Sequence, residues 1–421
     1  MRTPKFLTTI STYSWSLFRA DLIAGVTVAV VAIPLSVAIA IASGARPEDG
    51  LTTAIVAGFL VSLLGGSRVQ IGGPTGAFIV VVFGVIAEHG YDGLVLATAM
   101  AGIILLVAGF FRAGRFVSFI PEAVINGFTI GIAVIIATSQ INDFFGLGVR
   151  EMPADFLDKV PVLVANAGAI NLHAGALAAS TVIAIVVLRR MWPRFPGLIF
   201  AIGAGSLLVA LTHWPVDTIA SRYGPLPVGL PLPSLPEVTL SRLIELFPSA
   251  VVIAFLAAVE SLLSAMVADR MIDGKYRPNA EVIAQGAANI GSSLFGGLPA
   301  TGAIARTATN VRAGARTPVA GMVHALTILV VVMLLAGPVS QLAMPCLAAL
   351  LMLTAWNMSE PHRWRGYLSA PRSDLVLLLL TMVLTVLIDL TVAIAIGVAL
   401  GLVIRLQRRK VPASDWTPPR R

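Results

Sequence analysis

Charge is scarce in this chain. Asp, Glu, Lys and Arg make up 12% of its 421 residues, where a soluble domain carries ~25%. Cysteine is nearly absent: the single Cys346 excludes a disulfide framework and sits in an apolar stretch, as a packing residue does. The histidines (His89, His173, His213, His324 and His362) are scattered and lack metal-ligand spacing. No phosphate-binding Gly-rich loop ending in Gly-Lys-Ser/Thr occurs, which argues against ATP-driven work. Neither a nucleophile–base pair nor a metal-ligand set emerges, so an enzyme ranks last and no catalytic residue, cofactor or metal is expected. The net charge of +8 is dispersed over short loops rather than clustered. A nucleic-acid partner is therefore not expected, and membrane topology accounts for the charge better.

What is present is apolar sequence. The hydrophobic share is 57% and the mean hydropathy +0.90. A membrane span needs ~20 predominantly apolar residues. On that length about 14 segments are expected, at 19–43, 50–65, 73–88, 93–111, 120–140, 174–190, 195–212, 248–268, 280–296, 300–311, 316–337, 341–358, 373–388 and 389–406. The first apolar run leads into further runs, so it reads as a first span and not a secretory signal. The longest connections are 141–173 and 213–247. The second holds the Pro-rich run Tyr223–Pro236, which cannot be helix interior and reads as an extended linker.

Charge placement tests that count. With these spans, 24 of the 29 Lys and Arg residues fall on one side of the membrane and five on the other. Cytoplasmic loops carry the excess of Lys and Arg, so both termini are expected in the cytoplasm of an inner (plasma) membrane protein. An internal repeat is also visible: Gly44–Gly66 runs parallel to Gly274–Gly297, each with a Pro soon after its first Gly and a closing Gly-Gly. Seven spans per half make the second half enter from the opposite side, an inverted repeat.

Both repeats lead into a break. Gly72-Gly73-Pro74-Thr75-Gly76-Ala77-Phe78 and Gly296-Gly297-Leu298-Pro299-Ala300-Thr301-Gly302-Ala303-Ile304 each interrupt an apolar segment at matching positions. Irregular backbone at membrane depth is tolerated only inside protein or along a cavity. The helices that follow present unpaired N–H groups and about half a positive charge each. Two such ends make an anion cradle, with Thr75, Gly76, Ala77 and Phe78 on one side and Thr301, Gly302, Ala303, Ile304 and Ala305 on the other. Glu260, deep in the eighth segment, is the outstanding ionisable residue. A carboxyl at that depth faces a cavity or a partner, and Ser264 shares its helical face. Glu260 with Ser264 reads as a coupling-ion site for a proton or another cation. The alternative is an ion pair clamping two helices. Arg306 directly follows the second break and would attract anions electrostatically, unless it only snorkels to the interface.

Val31-Ala-Ile-Pro34, Gly73-Pro74-Thr75-Gly76, Asn126-Gly127-Phe128, Val259-Glu260-Ser261-Leu262, and above all Gly296–Asn310 followed by Gly314-Ala-Arg-Thr-Pro318, resemble the SulP sulfate-permease family. The resemblance runs over about residues 15–406. It implies an all-α polytopic membrane protein of two inverted seven-segment repeats, with half-helices 3 and 10 meeting at the midplane around a substrate anion. It also implies a division: a cytoplasmic segment 1–18, a core domain from 19–119 and 248–337, a gate domain from 120–247 and 338–406, and a basic tail 407–421. Family members commonly continue into a cytoplasmic STAS domain, whereas this chain stops at Arg421. Leu35 stands where many relatives have Gln. Sodium-coupled bicarbonate relatives have Asp where Glu260 stands and Thr where Ile304 aligns, so proton coupling fits better. The expected activity is secondary transport of a small anion (sulfate, bicarbonate or a C4-dicarboxylate) by proton symport with an elevator-type motion. Sodium-coupled bicarbonate transport, anion exchange and an uncoupled channel are the alternatives. The lipid bilayer and, from relatives, a homodimer partner complete the expected contacts.

Overall fold

The structure is a computed structural model that describes residues 3–112, 114, 121–150, 152–192, 196–388 and 390–407. Of the expected basic tail only Gln407 is described. Seventeen α-helices lie among the described residues. They are α1 (Lys5–Thr9), α2 (Trp15–Ala42), α3 (Pro47–Leu64), α4 (Ile79–Phe110), α5 (Glu122–Phe145), α6 (Phe156–Ala165), α7 (Leu172–Met191), α8 (Gly197–Thr212) and α9 (Ile219–Tyr223) in the first part. There follow α10 (Leu240–Ile272), α11 (Pro278–Leu294), α12 (Ile304–Arg312), α13 (Val319–Ser340), α14 (Met344–Met358), α15 (Trp364–Leu368), α16 (Arg372–Leu387) and α17 (Leu390–Gln407). Two short strands, β1 (Gly72–Gly73) and β2 (Thr301–Gly302), precede α4 and α12.

Helix lies at each of the fourteen expected segments. The third and fourth are one continuous helical assignment, broken where Gly90 adopts φ +70°. Among the described residues seven helices, α2, α3, the Gly76–Phe110 stretch, α5, α7, α10 and α13, are long and apolar enough to cross a membrane. Some boundaries differ from expectation. α10 begins at Leu240, where the Thr239 hydroxyl caps it, and carries Pro248 inside. The Pro-rich linker is neither helix nor strand over 224–239, bending at 225 and 228–229, and the connections around it also hold the short helices α6 and α9.

Loop contacts define two faces. On the arginine-rich face Lys5 N–H donates to Gly65 O, Arg277 N–H donates to Gly66 O, and Asp21 accepts from Arg316 and Thr317 N–H. On the other face Tyr91 donates to Gly296 O at 2.6 Å, His89 meets Glu245 at 3.1 Å, and Met344 N–H donates to Asp217 O. The helices pack in two groups, one of α2, α3, α4, α10, α11, α12 and α13, the other of α5, α7, α8, α14, α16 and α17. Small residues set the approach within each. A Cβ on Gly102 of α4 would sit 2.8 Å from Gly286 O of α11, and one on Gly127 of α5 would sit 2.5 Å from Leu378 O of α16. Lipid supplies little drive for helices to associate, so backbones must come this close to gain packing.

Candidate functional site

The two breaks meet, and they do so as a strand pair. β1 and β2 run antiparallel with Gly72 opposite Gly302 and Gly73 opposite Thr301. The sequence reading expected unwound ends and no strand. Pairing is how this backbone satisfies its polar groups away from water. Glycine leaves room here for two buried side chains: a Cβ at Gly302 would lie 2.0 Å from Gln70 Nε2 and displace it, and Gly73, at φ +147°, would meet Arg306 Nη1 at 2.7 Å.

Beyond the strands each chain turns into helix. Hydrogen bonding restarts at Phe78 N–H to Thr75 O and at Thr307 N–H to Ala303 O. The amides of Gly76 and Ala77, and of Ile304, Ala305 and Arg306, therefore precede the first acceptor within their own helices. The neighbouring residues are committed elsewhere. Gly302 N–H donates to Ser261 Oγ at 2.9 Å, Ala303 N–H to Ile71 O at 2.8 Å, and the Thr301 hydroxyl meets Ser261 Oγ at 2.7 Å and Ala257 O at 3.1 Å. Of the nine residues expected in the cradle, Thr301, Gly302 and Ala303 hold the scaffold. Phe78 is buried beside the first helix end.

The two helix ends differ in exposure. Thr75 to Phe78 are buried, and the group of α5 and α14 covers them: a Cβ on Gly76 would touch Met358 Sδ at 3.0 Å and Ile136 Cδ1 at 3.6 Å. Ile304 and Ala305 are exposed, Ala308 and Thr309 half-exposed, and Arg312 exposed. Those residues form one face of α12, by helical spacing. The exposed face leads from the site toward the arginine-rich side.

Glu260 on α10 is half-buried, and its Oε2 accepts a hydrogen bond from Thr75 Oγ1 at 2.8 Å. That bond ties the acid to the first helix end. Ser264 is buried and donates to Thr307 Oγ1 at 3.2 Å rather than to Glu260. Arg306 is 2% exposed, which sets aside the snorkelling alternative. Its Nη2 donates to Pro74 O, while Nε and Nη1 have no protein partner. It makes no ion pair with Glu260 within 4 Å among the described residues, so the clamp alternative for Glu260 is not what forms. An unpaired guanidinium beside two helix N-termini gives the site a positive field in a water-poor setting.

Sequence reasoning missed the supports. Asn289 of α11 brackets Ala300, accepting from its N–H and donating to its C=O, both at 2.9 Å. Buried Glu281 accepts from Gly66 N–H, Ser67 N–H, Gln70 Nε2 and Gln285 Nε2. Amides and carboxyls inside apolar helices were the available signal, and Glu260 was weighed as a site residue while Asn289 and Glu281 were not.

The arrangement suits an anion held by backbone amides, and comparison with known proteins agrees on the class. The profile of the sulfate permease family matches residues 18–381. The chain belongs to the sulfate permease family. It is 44% identical over 371 residues to the putative sulfate transporter YvdB of Bacillus subtilis, covering 88% of this chain and 70% of that protein. It is 32% identical over 332 residues to the bicarbonate transporter BicA of a Picosynechococcus strain, covering 75% of this chain and 57% of that one. Among solved structures, the transmembrane domain of a cyanobacterial BicA superposes with a TM-score of 0.81 at 27% identity, covering 96% of this chain and 99% of that chain. The murine Slc26a9 anion transporter shares the fold, with a TM-score of 0.86 at 17% identity over 96% of this chain and 71% of that chain. The family is one of anion transporters, not enzymes.

Proposed function

We propose that this chain carries sulfate or bicarbonate across the inner membrane as a proton-coupled secondary transporter, with both termini cytoplasmic. C4-dicarboxylates remain in the substrate set to be screened, since amide cradles recognise charge more than shape. The observation that carries this reading is the meeting of two helix N-termini beside Glu260 and the unpaired Arg306. Free amides at Gly76, Ala77, Ile304 and Ala305 offer hydrogen bonds to an oxyanion without a dedicated basic side chain touching it. Glu260, bound to Thr75 at one of those ends, takes up the proton that travels with the anion. A neutral Glu260 lowers the charge that must cross the apolar layer.

Alternating access follows from the two packing groups. The group of α2–α4 and α10–α13 holds the site and moves as the core; the group of α5, α7, α8, α14, α16 and α17 stays as the gate. The exposed face of α12 and the covered end of α4 make this conformation open to the arginine-rich side, the cytoplasm by the positive-inside rule. Antiparallel pairing of β1 with β2 supports the inverted-repeat reading, because it brings matching points of the two halves together in opposite directions.

Uptake into proteoliposomes under an imposed pH gradient tests this. Wild type should accumulate sulfate or bicarbonate as the gradient is raised, and Glu260→Gln should lose the gradient-driven component while still binding the anion. Undiminished pH-driven uptake by Glu260→Gln, or drive by a sodium gradient alone, overturns the proton assignment.

A further inference from the structure

Lys159 lies in the 141–173 connection, on the arginine-poor side, and is 3% exposed. An ammonium out of water normally finds a carboxylate. Here its hydrogen bond goes to the neutral Ser139 hydroxyl of α5, at 2.9 Å, and its Nζ stands 5.4 Å from the centre of the Phe83 ring of α4. The acid that acts on it is Asp155, the exposed N-cap of its own helix α6.

The position of these partners matters more than the contacts themselves. Ser139 lies one helical turn beyond Ile136, and Ile136 covers Gly76 at the anion site. Phe83 lies two turns beyond Gly76, about 10 Å along α4 at 1.5 Å per residue. Val80 falls between them on the same face, at i+4 from Gly76 and i−3 from Phe83. A single seam between α4 and α5 thus runs from the site to the arginine-poor side, and Lys159 closes its far end. Phe83 belongs to the helix group that carries the site, Ser139 to the other. Any relative movement of the two groups breaks the latch.

We propose that Lys159 is the outer gate of this transporter: it latches α4 to α5 in the present conformation and, once released, offers its ammonium to an anion entering the seam from outside. This rests on the transport reading above. Burial of the charge against a hydroxyl and a ring makes the latch weak, so it opens readily. After release the ammonium faces the mouth of the same seam and raises the local anion concentration there. Its role is one-sided, because the inner path runs along α12 and does not pass Lys159.

The test uses the full chain with Lys159→Met and Lys159→Arg, each also carrying Val80→Cys as a reporter in the seam. The native Cys346 is fully buried and gives no background. Sulfate and bicarbonate flux is measured from outside in cells and from the cytoplasmic face in inverted vesicles. Lys159→Met should raise the external KM about tenfold, the size of a local charge effect on anion supply, and leave the internal KM unchanged. It should also speed labelling of Val80→Cys by external maleimide severalfold, and Lys159→Arg should restore both. Equal KM changes on both faces, or unchanged external KM and labelling in a protein of normal thermal stability, overturn the proposal. If wild type carries neither anion, the transport reading fails instead, and unchanged labelling still overturns the latch by itself.

Discussion

Replacing Asn289 by Leu tests whether the second helix end is held in place by its neighbour α11. The two side chains share a branched four-atom outline, so the change removes the hydrogen bonds, and the bulkier Leu adds some crowding. Asn289 and Ala300 are both fully buried. The amide of Asn289 serves the N–H and the C=O of Ala300, the residue that leads into β2. With Leu in place, both backbone groups lose their partner and no water reaches them. A buried group left unpaired costs about 1–3 kcal/mol, so the pair costs roughly 2–6 kcal/mol. Asn289 also donates to Gln285 O at 2.8 Å, but that carbonyl keeps its helical partner, and its loss adds little. Ser293→Ala is the control: it lies one turn on in the same helix, and its hydroxyl serves only Ile290 O at 2.8 Å. It should cost at most about 1 kcal/mol. Equilibrium unfolding in mixed micelles measures both, and a thermal-shift titration with sulfate reads the site. Asn289→Leu should be the less stable by several kcal/mol and should lose most sulfate stabilisation, because β2 places the amides of Ile304 and Ala305. A stability loss equal to that of Ser293→Ala would refute the reasoning.

Two further substitutions probe the frame of the site. Gly302→Ala should abolish anion binding and lower expression, since its Cβ would lie 2.0 Å from Gln70 Nε2 and must displace either β2 or the Gln70–Glu281 bond; ligand-induced thermal shift and yield of monodisperse protein check this. Asp21→Ala should destabilise by about 2–6 kcal/mol, because Asp21 accepts from Arg316 N–H, Thr317 N–H and the Thr317 hydroxyl just before α13 and from the Tyr13 hydroxyl just before α2, and its loss leaves the two buried Thr317 groups without it; heat-induced unfolding should shift down while sulfate KM at low temperature stays at the wild-type value.

The fourteen segments were legible because a bilayer imposes length and hydropathy on anything that crosses it. Segments that do not obey that rule were harder. The start of α10 holds Arg242 and Glu245 and is followed by Pro248, so composition pointed to a linker there, yet the Thr239 cap begins the helix. α6 is only ten residues with Pro161 inside, too short to carry a hydropathy signal. Strands of two residues have no period to read, and glycine is compatible with turns, helix packing and pairing alike. Within the site, Glu260 was visible as a lone acid in an apolar run. Its partner Thr75 is 185 positions away, and no local spacing encodes that. Ser264 shares a face with Glu260, but its hydroxyl has a nearer acceptor in Thr307. Lys159 looked like one of five cations on the sparse side, and only burial separates it from the others.

The two breaks carry one pattern in sequence, yet one helix end is sealed and the other open, and this difference has a structural cause. Ile136 of α5 and Met358 of α14 lie over Gly76, while Ile304 and Ala305 are exposed among the described residues. Both covering residues belong to the same packing group, and both breaks belong to the other. Exposing Gly76 therefore requires no refolding of either break. In the alternating access proposed above, the group that holds β1, β2 and Glu260 shifts as a unit past Ile136 and Met358. The strand pair makes such a shift concerted, because Gly72 and Gly302 cannot separate without leaving backbone groups unpaired at depth. In the proton symport proposed above, the anion and the proton on Glu260 would then travel together, since Thr75 ties the acid to the same end. A rocking of α12 alone would break the bonds from Gly302 to Ser261 and from Ala303 to Ile71. Cross-linking β1 to β2 should thus leave transport intact, whereas cross-linking α4 to α5 across the seam at Val80 and Ile136 should stop it.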